Sequence, residues 1–413
     1  MSRMKRVVIT GIGVIAPNGN CREEFLDSIL RGRSGIRAIP FFDTTPYTTK
    51  IAGIARAFNP LEYFTVPETR RMARFAQFAV VAAREAIDDS KYKLTPENDF
   101  LTGVFIGVSV NAMEIIEKQV KVLHESGPSR MSPFTVAGSL PNSAAVHVSV
   151  DLGIKGCSAT LSTGCSSSLN AIGYAFEMIR SGRLRAAVCG GAEAPVTPSI
   201  LGAFCAAGVL SNKNDTPESA SRPFDRQRDG YVLSEGAAIL FIESLDSARS
   251  RNAKIYAEIG GFGSTMEAVS MHKMDESGKE AARAVKNALD DARIKPKEVD
   301  YVSAHGSSSM MSDIRETRAL KMVFGDHARS IKVSSVKSMI GHPLGLAGGI
   351  QAAATILAAS KGCIHPTMNY IYKDPECDLD YVPNEALRRK VKRAVINSFG
   401  MGGNNASVLL HLN

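Results

Sequence analysis

A chain of 413 residues with 44% hydrophobic and 22% charged residues is long enough for a large core and about two structural units. That composition excludes a disordered or fibrous protein, and no stretch approaches the ~20 apolar residues of a membrane helix. The formal net charge of +8 would suit nucleic acid, but acidic and basic residues are interspersed without a basic block, so an acidic protein partner suits it equally well.

The cysteines (Cys21, Cys157, Cys165, Cys189, Cys205, Cys363 and Cys377) are odd in number and irregularly spaced. They form no C-x-x-C pair, which argues against a disulfide framework or a zinc site and for a reducing cytoplasm.

In chain order, residues 6–15 read as a strand. The basic residues before it and the apolar run at 7–17 imitate a signal peptide. Gly11 and Gly13 interrupt the run, and no small-x-small cleavage site closes it, so a buried strand is the better reading. Residues 71–90 read as a helix with apolar Phe75, Phe78, Ala79, Ala82 and Ala86 on one face. A strand is expected at 104–110, then a helix from the Gly164-Cys165 turn to Gly182. A short buried strand at 186–189 should end at Gly190-Gly191. The weakest seam is the polar segment 247–254, before a strand at 255–259. Further strands are expected at 299–302, 331–336 and 394–397, with an alanine-rich helical segment at 346–360. The alternation predicts an α/β fold with helices covering sheets. Across the seam there is an internal echo. Gly164-Cys165 and Gly341-His342 each place a glycine before a reactive residue at a strand-to-helix turn, as a duplicated core would.

Cys165 stands in Ser162-Thr163-Gly164-Cys165-Ser166-Ser167-Ser168, where small neighbours permit a sharp turn that exposes a side chain at a helix start. A helix N-terminus favours a thiolate through its unpaired N–H groups and dipole. The competing reading is a buried structural cysteine. His305, in Ser303-Ala304-His305-Gly306, and His342, in Lys337-Ser338-Met339-Ile340-Gly341-His342, both lie just past a strand end beside a glycine. Each alone is as good a structural histidine as a catalyst; with a poised cysteine they form a constellation. The loop Gly400-Met401-Gly402-Gly403-Asn404-Asn405 lacks the Lys-Ser/Thr of a P-loop, and backbone N–H donors for an oxyanion suit it better.

Together these motifs resemble the β-ketoacyl-acyl carrier protein synthases over essentially the whole chain. The resemblance also rests on Val7-Val8-Ile9-Thr10-Gly11-Ile12-Gly13-Val14, Ser221-Arg222-Pro223-Phe224-Asp225, Arg228-Asp229-Gly230-Tyr231 and Asn397-Ser398-Phe399-Gly400. It implies the thiolase fold: two pseudo-equivalent halves, 1–250 with the cysteine and 251–413 with both histidines, in a layered α-β-α-β-α architecture. It implies that Cys165 takes the acyl chain as a thioester. His305 and His342 would promote decarboxylation of a malonyl thioester, with Lys337, Asp313 and Glu316 in support. Backbone N–H groups of Cys165 and Met401 would form the oxyanion hole, and Ser307 and Ser309 would bind the phosphopantetheine arm. Val108, Met113, Phe204, Phe399 and Met401 would line or gate the acyl pocket. Arg70, Arg71, Arg74 and Lys213 would dock the acidic carrier protein.

The resemblance implies no permanently bound cofactor, since substrates ride on the carrier protein's phosphopantetheine. It also implies a cytoplasmic homodimer, or a heterodimer with a cysteine-less chain-length factor, and no nucleic acid or membrane partner. The chain departs from the family in three places. Serines replace the usual threonines after His305, with Met310-Met311-Ser312 before Asp313; Met401 replaces a gating phenylalanine; and Ser270 precedes Met271 where histidine is common. Segments such as Gly173-Tyr174-Ala175-Phe176 and Pro375-Glu376-Cys377-Asp378 lean toward type II polyketide systems, while Asn397-Ser398-Phe399-Gly400 leans toward fatty-acid enzymes. A silent chain-length-determining subunit or a degradative thiolase are the alternatives; the retained cysteine argues against the first.

Overall fold

The computed structural model describes residues 4–413. Ten strands form one mixed sheet: β1 (Val7–Ile15), β2 (Thr102–Gly107), β3 (Ser158–Leu161), β4 (Ala186–Glu193), β5 (Gly236–Ser244), β6 (Ala257–Met266), β7 (Tyr301–Ser303), β8 (Lys332–Ser334), β9 (Arg393–Phe399) and β10 (Asn404–Leu412). Their order across the sheet is β8-β7-β9-β10-β6-β1-β5-β4-β2-β3. From each outer edge inward, the third, second, fourth, fifth and first strand of a half follow one another. Pairing directions match too, parallel among the outer three and antiparallel toward the centre. The halves meet where β1 pairs antiparallel with β6.

The central strands are buried on both faces, which is why they read as continuous apolar runs rather than alternating ones. In β5, Ala237, Ile239 and Phe241 face one core while Ala238, Leu240 and Ile242 face another. The six longest helices are α1 (Arg74–Ser90), α2 (Met113–Ser126), α3 (Ser167–Arg180), α4 (Lys279–Ala292), α5 (Met310–Phe324) and α6 (Ala347–Ala359). α3 and α6 pack on each other and on strands of both halves. α1 covers β1, β5 and β4, and α4 covers β6 and β10. The result is the layered thiolase-type α/β architecture that the motifs imply.

Several boundaries differ from expectation. The helix expected from residue 71 begins at Arg74, because Ala73 is extended and the Arg74 N–H is capped from outside by Glu114 Oε1 at 2.9 Å. The strand expected to stop at Gly190 runs on to Glu193. Its glycines do not end it; they admit neighbours, since a Cβ on Gly191 would meet Ser168 Cβ at 2.7 Å. The internal echo is looser than the sequence suggests: a one-turn helix, Lys337–Ile340, separates β8 from Gly341-His342. Among the described residues no helix is long and apolar enough to cross a membrane.

Gly11 and Gly13 answer to the approach of α1: a Cβ on either would lie 1.9 Å from a helix carbonyl, Ala86 O or Ala82 O. The close approach lets Asp89 and Glu85 of α1 accept the N–H groups of Ile12 (3.1 Å) and Val14 (2.8 Å), which β6 does not pair. Gly13→Ala should therefore displace α1 and cost about 1–3 kcal/mol. A urea midpoint equal to that of the parent chain would refute this contact as the reason for the glycine.

Candidate active site

Cys165 lies between β3 and α3. Gly164 adopts φ 63, which favours glycine. Ser167 Oγ accepts the Thr163 N–H at 2.9 Å and donates to Gly164 O at 2.6 Å, closing the turn. Ser398 Oγ donates to Cys165 O at 2.7 Å, tying the turn to β9. The loop after β9 lies directly against it: a Cβ on Gly400 would be 3.1 Å from Cys165 N. The backbone N–H groups of Cys165 and Met401 pull the thiol toward its ionised form. Burial is the stronger influence and pushes the thiol above its ordinary range, against the pull of those N–H groups and of Lys337. The expected helix-terminus activation is thus outweighed in the resting site: desolvation of a thiolate costs more than the aligned dipoles return.

His305 follows β7 by two residues. Its N–H and that of Gly306 donate to the two oxygens of Glu316 at 2.8 and 2.7 Å. Asp313 does the same for the next stretch, accepting the N–H of Ser307 at 3.0 Å and of Phe224 at 2.8 Å. Both acids lie on α5 and are buried. Desolvation raises both, Asp313 to about 6, while the N–H donors and Arg228 or Lys337 oppose the rise. Phe399 N–H donates to His305 Nδ1 at 3.3 Å, so the neutral ring carries its proton on Nε2.

His342 follows Gly341, which adopts φ 81, and its N–H donates to Val232 O at 2.7 Å. The two imidazoles meet edge to face with centroids 5.1 Å apart, and Tyr231 meets His342 at 5.2 Å. Burial, followed by the Lys337 charge, lowers both histidines well below their ordinary value. Lys337 has no exposed surface, donates to His305 O and reaches Gln351 Oε1 at 3.0 Å. Its own affinity for a proton is lowered by burial.

Of the remaining expected residues, Phe399 is buried and leans on His305 with centroids 6.1 Å apart. Val108 is buried at the end of β2, and Met113 is half-buried at the start of α2. Phe204 is half-buried against Tyr231 at 5.9 Å, and Met401 is 40% exposed. Ser307 is buried with its hydroxyl 3.5 Å from Asp313 Oδ1, whereas Ser309, at the start of α5, is more open. Arg70 and Arg71 are exposed beside a groove of about 470 Å³ that Lys118 and Phe134 also line. Arg74 lines that groove too but is committed elsewhere: its guanidinium holds Glu235 at 2.9 and 2.7 Å and lies over Phe78. Lys213 is half-buried in a loop beyond the groove's lining.

Two buried residues escape a motif search. Gln351 of α6 donates to Ser303 O, Ala304 O and Asn397 O while accepting from Lys337. Glu193, closing β4, accepts three backbone N–H groups. Their only signal is a lone polar residue in an apolar segment, Ile350-Gln351-Ala352 and Gly191-Ala192-Glu193.

Residues 4–248 match the family model described as beta-ketoacyl synthase, N-terminal domain, and residues 256–371 the corresponding C-terminal domain. The chain is 42% identical to a 3-oxoacyl-acyl-carrier-protein synthase 2 of Synechocystis, over 98% of this chain and 97% of the relative. It is 44% identical to the Staphylococcus aureus protein of the same name, over 98% of each. Among solved structures, it superposes with a TM-score of 0.92 and 34% identity on a type II PKS acyl-carrier protein in complex with its ketosynthase bound to the hexaketide, covering 100% of both chains. The ishigamide ketosynthase/chain length factor gives the same TM-score and identity, over 99% of this chain and 100% of that one. With a poised thiol, two neutral imidazoles and these matches along nearly its full length, the chain belongs to the beta-ketoacyl synthase family of condensing acyltransferases.

Proposed function

We propose that Cys165 carries the acyl group and that His305 and His342 serve the malonyl half-reaction, with both substrates delivered by acyl carrier protein. The observation that carries this is a pair of edge-to-face imidazoles reached by the same segment, Phe399-Gly400, that packs on the backbone of Cys165. In the first step the thiol attacks the carrier-bound thioester. The carbonyl oxygen gains charge beside the Cys165 and Met401 N–H groups, and the carrier thiol leaves with the proton. In the second step the malonyl thioester loses CO₂, and the enolate charge falls on an oxygen that neutral imidazole N–H groups stabilise. The enolate carbon then attacks the Cys165 thioester, the new carbon–carbon bond forms, and the released thiolate takes up a proton.

Lys337, Gln351, Asp313 and Glu316 hold the His305 loop. Ser309 offers the more open hydroxyl for the pantetheine arm, Ser307 the more buried one. Arg70 and Arg71 present cations beside Phe134 for an acidic carrier protein, Arg71 at 4.9 Å from its ring. Lys213 would extend that surface. The chain would act in the cytoplasm as two halves, 1–250 and 251–413. It would pair with a second copy or with a cysteine-less homologue through the outer edge of β3. Beside that strand, Val146 and Val150 of the helix Ser143–Leu152 are 45% and 76% exposed, apolar surface that a partner would cover.

Incubation with acyl-loaded carrier protein should leave an acyl adduct on Cys165 by mass spectrometry. Cys165→Ala should lower condensation by on the order of 10³-fold or more. No adduct at any chain length, together with undiminished product from the alanine variant, would overturn the reading in favour of a silent partner subunit. Because burial holds both histidines below their usual proton affinity, the ring resonances of His305 and His342 should keep neutral shifts from pH 8 down to 6. A midpoint near 6.5 for either would remove the neutral-donor role. Met401→Phe puts a rigid ring in place of a flexible side chain at the loop and should change the distribution of product chain lengths; an identical distribution would dissociate Met401 from the gate.

A further inference from the structure

Glu193 has no exposed surface, yet among the described residues its carboxylate pairs with no cation. Oε2 accepts the N–H of Ser109 at 2.9 Å and of Gly345 at 3.0 Å, and Oε1 accepts that of Val110 at 3.0 Å. These donors come from two loops far apart in sequence. One, 108–112, joins β2 to α2 between Val108 and Met113. The other, Leu344–Leu346, follows His342 and Pro343 and leads into α6.

Both loops carry a residue other than glycine in the left-handed region, Asn111 at φ 62 and Leu344 at φ 44. Such a conformation persists in a residue other than glycine only where the surroundings impose it, most plainly at Leu344. The junction is tight: a Cβ on Gly345 would lie 2.7 Å from Glu193 Oε2 and 2.7 Å from Ser109 N. The side chains of Val110 and Leu344 belong to the same apolar cluster as Cys165 and Phe204. Glu193 thus ties together two loops whose side chains share an apolar cluster with Cys165.

We propose that Glu193 is a positioning residue that locks the acyl-pocket loop to the His342 loop and thereby sets which acyl chains Cys165 accepts. This rests on the assignment of Cys165 as the acyl carrier. Burial pushes the Glu193 carboxyl up to about 7 against the pull of its N–H donors, in keeping with a group retained for geometry rather than for solvation.

Glu193→Gln keeps the shape but replaces one acceptor oxygen with an NH₂ that faces a backbone N–H. Acyl transfer to Cys165 would be followed with carrier protein loaded with a short, a medium and a long saturated chain, and kcat and KM taken separately for each. The expected result is a change of roughly tenfold or more in the short-to-long ratio of kcat/KM, a discrimination within the reach of pocket contacts. It should come with a KM-against-kcat split that differs between chains. A uniform loss at all three lengths, with a lowered melting temperature, would overturn the inference and leave Glu193 a structural residue. If Glu193→Gln does not fold, Gly345→Ala opens the same junction from the other side and is read by the same ratio. An unmodified Cys165 in the parent enzyme would overturn the underlying assignment and this inference together, which separates that failure from an unchanged ratio.

Discussion

Lys337 is a full side chain of positive charge with no exposed surface. An ammonium group taken from water costs several kcal/mol unless its protons find acceptors. Here they find His305 O and Gln351 Oε1, with the buried acids Asp313 and Glu316 close enough to favour the charge. That requirement ties the segment after β8 to the segment after β7 and to α6. Once Lys337 must reach His305 O, the His305 loop cannot slide along α5. Glu316 and Asp313 are then spent on holding its N–H groups. The lysine charge in turn helps keep both imidazoles neutral. The same need explains the glutamine in an otherwise apolar helix.

The halves reach the site by the same route. Each presents strand ends in the order third, second, fourth, fifth, first, and each supplies loops from the ends of its second to fourth strands. Cys165 comes from the first half, and His305 and His342 from the second. The departures from symmetry are functional in character. The one-turn helix Lys337–Ile340 has no counterpart before Cys165, and it carries the lysine.

What was legible in the sequence was local. Gly164-Cys165, His305-Gly306 and Gly341-His342 announce themselves because a glycine must accompany the turn that presents each side chain. Strand and helix alternation was legible because periodicity survives without knowledge of partners. What was not legible depends on contacts between distant segments. The start of α1 at Arg74 depends on Glu114, the persistence of β4 through its glycines on Ser168, and the commitment of Arg74 on Glu235. Arg70, Arg71 and Arg74 are alike in sequence; only the fold separates two open cations from one that is bound. Glu193 and Gln351 left only the mark of a lone polar residue in an apolar segment, since most of their partners are backbone N–H and C=O groups, which leave no trace in residue identity.

The pull of a helix terminus on Cys165 toward the thiolate is outweighed by burial. Dipole and N–H donors offer typically 0.3–1 kcal/mol at exposed sites and up to ~2 kcal/mol where partly buried, while a buried thiolate pays a larger desolvation cost. A neutral resting thiol suits a two-step condensation. Under the proposed mechanism the Cys165 and Met401 N–H groups then remain available for the carbonyl oxygen of a thioester. A thiolate held permanently at the same place would draw those donors to itself and meet each incoming thioester with them already occupied. The site therefore keeps its sulfur, its two imidazoles and its donors neutral or unspent. Lys337 lies behind the His305 carbonyl, where it acts by orienting a loop.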